Sequence, residues 1–336
     1  MAEQRYYHFT AKALIASFAK EHPSLFRSLK IITEPDSTMS KEISIQQLLR
    51  DSLKGVLGNF PAVSIYLRRR KEILAGRRQS VRTKFGFELS GNPEMESGNF
   101  EPVETKVICS LLHHFDYFVN VGANIGYYCC HALKAGLPVI AFEPSQKNLE
   151  MLLRNISINE WGGQVEVFPL ALAAKPGVLN FYGEGTGASL IPGWAGVPQA
   201  YVSRVPASTM DTVLGSRLAK HKPLFLVDVE GAELAMLQGA TSQLDNITEA
   251  AWIMEITISE HLPKGQTINP RLIETFDMFW SRGFRAFTVD GRALEVTRNM
   301  IRRLLDSETD DIGTHNFMFL QPQDCDKLLP ALRLTT

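Results

Sequence analysis

The 336-residue sequence predicts a doubly wound α/β fold with a seven-stranded sheet and a helical region before it. Two observations support this. From residue 117 onward, short apolar runs alternate with segments of helical periodicity, a pattern typical of a mostly parallel sheet with crossover helices. Before residue 82, apolar residues recur at helical spacing. Ligands of a doubly wound sheet bind beyond the carboxyl ends of its strands, so we expect the functional residues directly after the apolar runs.

The composition is that of an ordinary globular protein. Hydrophobic residues make up 45% and charged residues 21% of the chain, which argues against a disordered, fibrous or membrane-spanning protein. The net charge of -1 offers no global field to nucleic acid or an anionic membrane, so neither is expected as a partner. The apolar run at 13–19 is too short to cross a bilayer, and the four cysteines form no C-x-x-C pair. These features predict a cytoplasmic location.

Residues 1–97 are predicted to form a separate helical region. Apolar residues repeat at helical spacing between Ile45 and Leu57, and a second helix is expected over residues 61–75. The apolar faces must be covered, so we expect the region to pack on the following domain or to mediate homo-oligomerisation. The turn-rich segment SGNPEMESG at 90–98 places the boundary near residue 97, and the second domain is expected to span residues 98–336.

The second domain contains the seven predicted strands. Each is a short apolar run bounded by turn residues, and most are separated by helical patterns: residues 117–121, 138–142, 165–169, 224–229, 251–256, 284–289 and 316–320.

The first of these strands ends in a glycine loop, FVNVGANIG at residues 118–126. Gly122 and Gly126 lack Cβ atoms, so a ligand can approach the backbone closely. A dinucleotide-binding loop reads G-x-G-x-x-G, and Asn124 stands where its second glycine would be, which disfavours NAD or FAD. The spacing suits S-adenosylmethionine, whose carboxylate can accept backbone N–H groups there. The alternative is that both glycines serve turn geometry alone.

The second strand ends in Phe142, Glu143 and Pro144. Glu143 lies 17 residues after Gly126, where a carboxylate can accept both ribose hydroxyls of an adenosine. An exposed acid at a strand end is the alternative. Together, the loop and the acid favour one adenosine-containing ligand.

Several stretches resemble the FkbM-type S-adenosylmethionine-dependent methyltransferases, in the family's order and over residues 98–320. They are GNFEP (98–102), VNVGANIGYY (119–128), VIAFEPSQKNLEMLLRNISIN (139–159), VEVFPLAL (165–172), VPASTMDTVL (205–214), LVDVEGAELAMLQGA (226–240) and MEI (254–256). The resemblance implies a class I methyltransferase with a Rossmann-like fold, which uses S-adenosylmethionine to O-methylate hydroxyls of sugars, glycolipids or polyketide-type metabolites. It implies a cofactor site formed by Asn120, Gly122, Ala123, Asn124, Gly126, Glu143, Pro144 and Asp228.

Two positions depart from that family. The family usually has an acid at the position of Asn120 and often a lysine at that of Leu226. The Asn120 amide oxygen can still accept a hydrogen bond from the cofactor ammonium. Without charge attraction, we expect this contact to be weaker.

Carboxylates follow the fourth and fifth predicted strands. Asp228 and Glu230 are two residues apart, so strand alternation predicts that they project to one side of the sheet, with Glu255 beside them. A hydroxyl acceptor must lose its proton as it attacks a methyl group, so Asp228 is the leading candidate base and Glu230 the next. Glu255 could join Asp228 in binding a sugar diol or a divalent ion. A metal is not favoured, because no histidine accompanies the acids within the motif.

Further candidates lie around this edge. His261, in a loop after the fifth strand, is a possible general base, and the alternative is an exposed or structural histidine. Glu233 is interpreted as an acid that satisfies N–H groups at a helix N-terminus. The glycine-rich segment 183–204 is predicted to be a lid in which Trp194 or Tyr201 offers an apolar ring to the acceptor. A disordered surface insertion is the alternative.

The sequence thus predicts an S-adenosylmethionine-dependent O-methyltransferase acting on a small-molecule or glycan acceptor. Two alternatives stay open. One is an N-methyltransferase, which needs no strong base once the amine is neutral, and the other is a non-catalytic S-adenosylmethionine-binding protein with structural carboxylates.

Overall fold

The computed structural model describes residues 78–333 and the single residue Ile65. Most of the predicted N-terminal helical region therefore lies outside the described residues. The chain divides into two compact units, Met1–Ala75 and Gly76–Thr336. Every helix and strand described below belongs to the second unit. The domain boundary at residue 97 stays a prediction.

The strands of residues 78–333 are numbered in chain order. They are β1 (Val81–Arg82), β2 (Glu88–Leu89), β3 (Tyr117–Val121), β4 (Val139–Phe142), β5 (Val165–Phe168), β6 (Ala171–Leu172), β7 (Gly177–Tyr182), β8 (Val202–Ser208), β9 (Pro223–Val227), β10 (Ala251–Glu255), β11 (Arg285–Thr288), β12 (Glu295–Val296) and β13 (Asn316–Leu320).

The α-helices of the same residues are numbered likewise. They are α1 (Pro93–Ser97), α2 (Pro102–Leu111), α3 (Tyr127–Lys134), α4 (Gln146–Ile158), α5 (Met210–Leu214), α6 (Glu233–Gln238), α7 (Thr241–Asn246), α8 (Leu272–Trp280), α9 (Arg298–Ser307) and α10 (Pro322–Leu332). None of these helices is long and apolar enough to cross a membrane.

The main sheet has the strand order β12-β11-β13-β10-β9-β3-β4-β5. Strands β10, β9, β3, β4 and β5 pair in parallel, whereas β13 runs antiparallel to both β10 and β11. Chain order reverses between β3 and β9, so the crevice beyond their carboxyl ends is the topological switch point where such sheets bind ligands. The α/β prediction is confirmed.

The number of strands differs from the prediction. The main sheet has eight strands rather than seven, because the two-residue strand Glu295–Val296 pairs with β11 at one edge. A strand this short has no alternating pattern, so the sequence could not reveal it.

Both faces of the main sheet are covered. Along β3, Val119 and Val121 pack into one apolar cluster, and Phe118 packs into the other. Alternating residues of one strand thus enter opposite layers, and both layers are dry. This double burial explains why the core strands read as continuous apolar runs.

The segment before the sheet is a capped helix. The Asn92 side chain accepts hydrogen bonds from the first turn of α1, and Gly98 ends the helix at a φ of 74°. Upstream, Phe85 and Phe87 contact the buried His131 ring of α3 edge-on, at 4.4 and 5.0 Å between centroids. Residues 85–98 therefore pack against the helix that follows the glycine loop.

A second sheet with the order β6-β8-β7 lies between β5 and β9 in the chain. The glycine-rich segment lies between β7 and β8, and its last residues, 202–204, belong to β8. The interpretation of the whole segment as an irregular loop was wrong at that end. Exposed and buried residues alternate imperfectly along β8, which obscures the strand pattern.

Candidate functional site

The site begins at the switch point, where the chain leaves β3. The Gly122 N–H donates to the Phe142 carbonyl of β4, and the Asp228 N–H donates to the Val121 carbonyl. Gly122 has a φ of 80°, and a Cβ there would overlap the Asp228 carbonyl oxygen. Gly122 is thus required by the chain's own packing, a reason that differs from the ligand approach expected from the sequence.

Gly126 has a similar constraint. It precedes α3 at a φ of 86°, and a Cβ there would overlap the Leu152 side chain of α4. Gly126 lines neither of the two cavities described below, although Gly122 lines both. The second glycine of the loop therefore serves helix packing in this structure.

Glu143 ties the glycine loop to the end of β4. Its carboxylate accepts the Asn124 N–H at 2.7 Å, the Ser145 N–H at 2.8 Å and the Asn148 side-chain amide at 3.4 Å. Burial raises the pKa of Glu143 to about 7, and these hydrogen bonds oppose the rise. Each carboxylate oxygen has two lone pairs, so these three donors leave Glu143 one acceptor position, on Oε2, for a ribose hydroxyl.

Two cavities meet beside Asp228. The first, here called the apolar cavity, comprises about 570 Å³ of space, which includes open solvent at its mouth. Its walls are mainly apolar, and Glu143, Pro144, Asp228 and Glu230 also line it. The apolar lining comprises Val121, Phe142, Leu170, Ala171, Leu172, Phe181, Ala188, Leu190 and Val229.

The second cavity, here called the acidic cavity, also comprises about 570 Å³ of space, including open solvent at its mouth. It is lined by four carboxylates and by an aromatic group from α3 and the chain before α2. The carboxylates are Glu101, Glu104, Asp228 and Glu255, and the aromatic residues are Phe100, Tyr127 and Tyr128. Gly122, Asn124 and Asp228 line both cavities, so the two spaces adjoin there.

Asp228 is a strongly perturbed acid at this junction. Its Oδ1 atom is buried and has no hydrogen-bond partner among residues 78–333. Burial, followed by repulsion from Glu230 and Glu101, raises its pKa well above the usual aspartate range. Burial and repulsion from Asp228 likewise raise the pKa of Glu255. The Asp228 and Glu255 carboxylates, which the sequence predicts to lie side by side, are thus close enough for the charge of Asp228 to raise the pKa of Glu255.

Glu230 is held by the segment between β7 and β8. Its carboxylate accepts the Trp194 indole N–H at 2.6 Å, and its backbone carbonyl accepts the Ser189 hydroxyl at 2.5 Å. Strand β9 ends at Val227, and Glu230 has a φ of 51°, so the alternation argument for Asp228 and Glu230 does not apply. Both still line the apolar cavity.

The aromatic residues of the proposed lid do not offer open ring faces. Trp194 is 2% exposed and Tyr201 is 4% exposed. The Trp194 ring packs over Gly231, where a Cβ would lie 2.5 Å from the ring. The expected apolar platform is therefore absent from these two residues, because the chain itself covers the rings.

The remaining candidates lie in different surroundings. Asn120 lines the acidic cavity and donates to the Cys129 sulfur at 3.4 Å. Ala123 lines the same cavity. His261 is exposed and lines neither cavity, and its backbone carbonyl accepts the Ala195 N–H. Its predicted role as a base stays a prediction.

Glu233 begins α6 and accepts the Gly231 N–H at 2.7 Å. Burial raises the pKa of Glu233 to about 7. This position agrees with its interpretation as a helix N-terminal acid. Within residues 78–333, no three His, Cys, Asp or Glu side chains are grouped so as to hold a metal ion.

Several residues of the acidic cavity were missed from the sequence, among them Glu101 and Asn316. Glu101, before α2, adopts a φ of 40° and accepts the Tyr128 hydroxyl at 2.7 Å. Asn316 of β13 pairs with Glu255 of β10 in the antiparallel register. The sequence signal for Glu101 was the GNFEP stretch, which contains it. Asn316 had no such signal, because its place beside Glu255 depends on the order of the strands in the sheet.

Residues 120–286 match the family described as the methyltransferase FkbM domain. The chain belongs to the FkbM methyltransferase family. The matched range begins at Asn120 in β3 and includes both Glu143 and Asp228. A search of curated proteins finds no significant match.

Solved structures of low identity are similar to this FkbM methyltransferase. The FkbM methyltransferase of Methylobacillus flagellatus KT is 14% identical, with 90% of this chain and 60% of that chain covered and a TM-score of 0.38. The bifunctional kinase-methyltransferase WbdD is 10% identical, with 75% and 46% covered and a TM-score of 0.40. A putative O-methyltransferase from Klebsiella pneumoniae is 9% identical, with 66% and 79% covered and a TM-score of 0.36. The chain spans less than two thirds of the length of the first two proteins.

Proposed function

We propose that this FkbM methyltransferase transfers the methyl group of S-adenosylmethionine to a hydroxyl oxygen of a small-molecule or glycan acceptor. The observation that carries the proposal is the Asp228 carboxylate at the junction of the two cavities, whose buried Oδ1 atom has no hydrogen-bond partner among residues 78–333. A base in this position lies between a space that suits a nucleoside and a space that is open to a second molecule.

The residues that line the apolar cavity suit the adenosine part of the cofactor. Phe142, Leu170 and Leu172 provide flat or aliphatic surface for a base, and Glu143 lines the same cavity and could accept a ribose hydroxyl. The Asn124 and Ala123 region of the glycine loop leads from there into the acidic cavity. When bound, the cofactor would supply an electrophilic methyl group on a sulfonium.

Asp228 would act on the acceptor. A hydroxyl is a weak nucleophile until its proton begins to leave, and a carboxylate with a raised pKa is a stronger proton acceptor than an ordinary aspartate. The hydroxyl oxygen would form a bond to the methyl carbon as the sulfur–carbon bond breaks, with the proton passing to Asp228. Cavity walls that hold both reactants in line would supply much of the rate.

The experiment is a screen of hydroxyl acceptors with a methyl-labelled donor, read by mass spectrometry, on wild type, Asp228→Asn and Asp326→Asn. Asp326 is exposed and outside both cavities, so it controls for loss of charge. We expect Asp228→Asn to lower turnover by about 10²- to 10⁴-fold. Its affinity for S-adenosylhomocysteine should change by less than about tenfold, since other groups also hold the nucleoside.

The outcomes separate the alternatives. Full turnover in Asp228→Asn would remove Asp228 as the base, and methylation of nitrogen in the product would replace the O-methylation proposal. Binding of S-adenosylhomocysteine without turnover of any acceptor class would favour a non-catalytic binding protein. A folded wild type that does not bind S-adenosylhomocysteine would contradict the proposal as a whole.

A further inference from the structure

The acidic cavity has an imbalance of charge. Glu101, Asp228 and Glu255 line it together with the partly buried Glu104, and no Lys, Arg or His of residues 78–333 lines either cavity. A histidine, His315, lies close to these acids, with its Nε2 atom 3.8 Å from the Glu255 carboxylate, but it does not line the cavity. The described walls therefore offer negative charge without a compensating cation.

The carboxylates also lack full hydrogen bonding from the protein. Asp228 Oδ1 is enclosed and has no partner. Glu101 accepts one neutral donor, the Tyr128 hydroxyl, and burial raises the pKa of Glu101 to about 6, which leaves it mostly ionised at pH 7.5. A buried polar atom without a partner is costly, so this cavity is built to receive donors from a ligand.

The cofactor can supply only part of the positive charge and the hydrogen-bond donors that the acidic cavity lacks. S-adenosylmethionine carries two cationic groups and one carboxylate, so its net charge is about +1. With Glu101, Asp228 and Glu255 all ionised, the cavity would carry more negative charge than the cofactor neutralises, and the raised pKa values of Asp228 and Glu255 show that the protein itself does not compensate it. An acceptor with an anionic group would be repelled, whereas an ammonium would donate hydrogen bonds to the carboxylates.

Aromatic rings complete the surroundings. Phe100 and Tyr127 meet edge to face, with 5.5 Å between ring centroids, and Tyr128 lies beside them. Carboxylates close to aromatic rings favour the binding of organic cations. Such a cation is attracted both by the negative charge of the carboxylates and by the quadrupole of the rings.

We propose that the acceptor is a hydroxyl compound bearing a protonated amine, and that Glu101 and Glu255 bind its ammonium in the acidic cavity. The proposal rests on the proposed O-methylation and names the acceptor class for that site. An ammonium has no lone pair and cannot attack the methyl group. The carboxylates that hold the amine protonated thereby direct the methyl to the hydroxyl oxygen, whose proton passes to Asp228 as the sulfur–carbon bond breaks.

The test uses matched pairs in which only the amine charge differs: glucosamine with N-acetylglucosamine, and tyramine with N-acetyltyramine. Binding to the full chain saturated with S-adenosylhomocysteine is measured by calorimetry, and methyl transfer from the labelled donor is measured in parallel. We expect the amine of at least one pair to bind at least tenfold more tightly than its N-acetyl partner. The transferred methyl should be on oxygen.

Two variants test whether Glu101 causes the preference for the amine over its N-acetyl partner. Glu101→Gln keeps the side-chain shape and an acceptor for Tyr128, and it should reduce the preference for the amine to about twofold or less. Glu94→Gln removes an exposed charge outside the cavity and should leave the preference unchanged. Circular dichroism and S-adenosylhomocysteine affinity check that both variants remain folded and competent.

Several results would overturn the proposal. Equal binding of the two members of every pair, no binding of any amine, or a preference retained in Glu101→Gln would each do so. If S-adenosylhomocysteine binds and a neutral acceptor is O-methylated, the acceptor class is wrong while the proposed function stands. If S-adenosylhomocysteine does not bind to wild type, the proposed function itself fails.

Discussion

Gly122→Ala tests the structural reason for the glycine loop, and Gly136→Ala is its matched control. The two glycines have similar φ angles, 80° for Gly122 and 87° for Gly136. A Cβ at Gly136 would meet no atom within 4 Å, whereas a Cβ at Gly122 would overlap the Asp228 carbonyl oxygen. The difference between the variants therefore isolates the overlap from the cost of a left-handed backbone.

The magnitudes follow from these two terms. Placing alanine in a left-handed conformation costs about 1 to 2 kcal/mol, and both variants carry that cost. In Gly122→Ala the end of β9 must also move, and overpacking of this kind costs about 1 to 3 kcal/mol more. For a domain of this size, each kcal/mol corresponds to about 2 to 4 °C in melting temperature.

The assay is urea or thermal unfolding of wild type and both variants, followed by calorimetric titration with S-adenosylhomocysteine. We expect Gly122→Ala to be less stable than Gly136→Ala and to bind the ligand more weakly, since the displaced carbonyl belongs to Asp228. Gly136→Ala should bind like wild type. Equal stability and equal affinity of the two variants would refute the packing argument.

Three further predictions follow from the site and its surroundings. Burial lowers the pKa of His131 from 6.5 to about 4, so the unfolded chain binds the proton first and the contribution of His131 to stability falls by about 3 kcal/mol as pH drops from 6.5 to 4. His131→Phe should remove this contribution in urea unfolding, and a pH dependence identical to that of wild type would contradict the burial of a neutral His131. Glu143→Gln should weaken S-adenosylhomocysteine binding by about 1.5 to 3 kcal/mol in calorimetry, because a charged acceptor becomes neutral, and unchanged affinity would remove Glu143 from the site. Gly231→Ala should displace the Trp194 ring and break its hydrogen bond to Glu230, so limited proteolysis of residues 183–201 should be faster than in wild type; equal cleavage rates would show that this contact does not hold the segment.

The core of the fold could be predicted because its strands are buried on both faces. Tyr117–Val121 and Asn316–Leu320 have the predicted bounds, since a strand with two dry faces is a continuous apolar run. Glu295–Val296 was missed because its pairing with β11 comes from position and not from residue type. The same holds for β6, whose two residues pair with β8.

The site was predictable where function follows strand ends, and less so where it depends on tertiary pairing. Glu143 and Asp228 follow β4 and β9 directly, where the rule for doubly wound sheets expects ligand-binding residues, and both line the cavities. Glu101 precedes β3 in the chain and has a left-handed backbone conformation. A glutamate in the sequence gives no indication of that conformation, so its place in the cavity could not be predicted. Trp194 was misjudged since its exposure depends on Gly231 beneath it.

The acids of the site also set how stability changes with pH. Burial raises the pKa of Glu101 to about 6 and that of Glu143 and Glu233 to about 7, from 4.5. The unfolded chain therefore loses these protons first, and each acid contributes stability that is present below pH 4.5 and lost as pH rises through 6 to 7. The contribution of His131 to stability changes in the opposite direction, because it increases as pH rises from 4 to 6.5. The ligand-free domain should therefore be most stable at the pH where the gain from His131 balances the loss from the acids. A cationic ligand favours the ionised acids, and its stabilising effect should accordingly grow as pH rises over the range in which the free site loses stability.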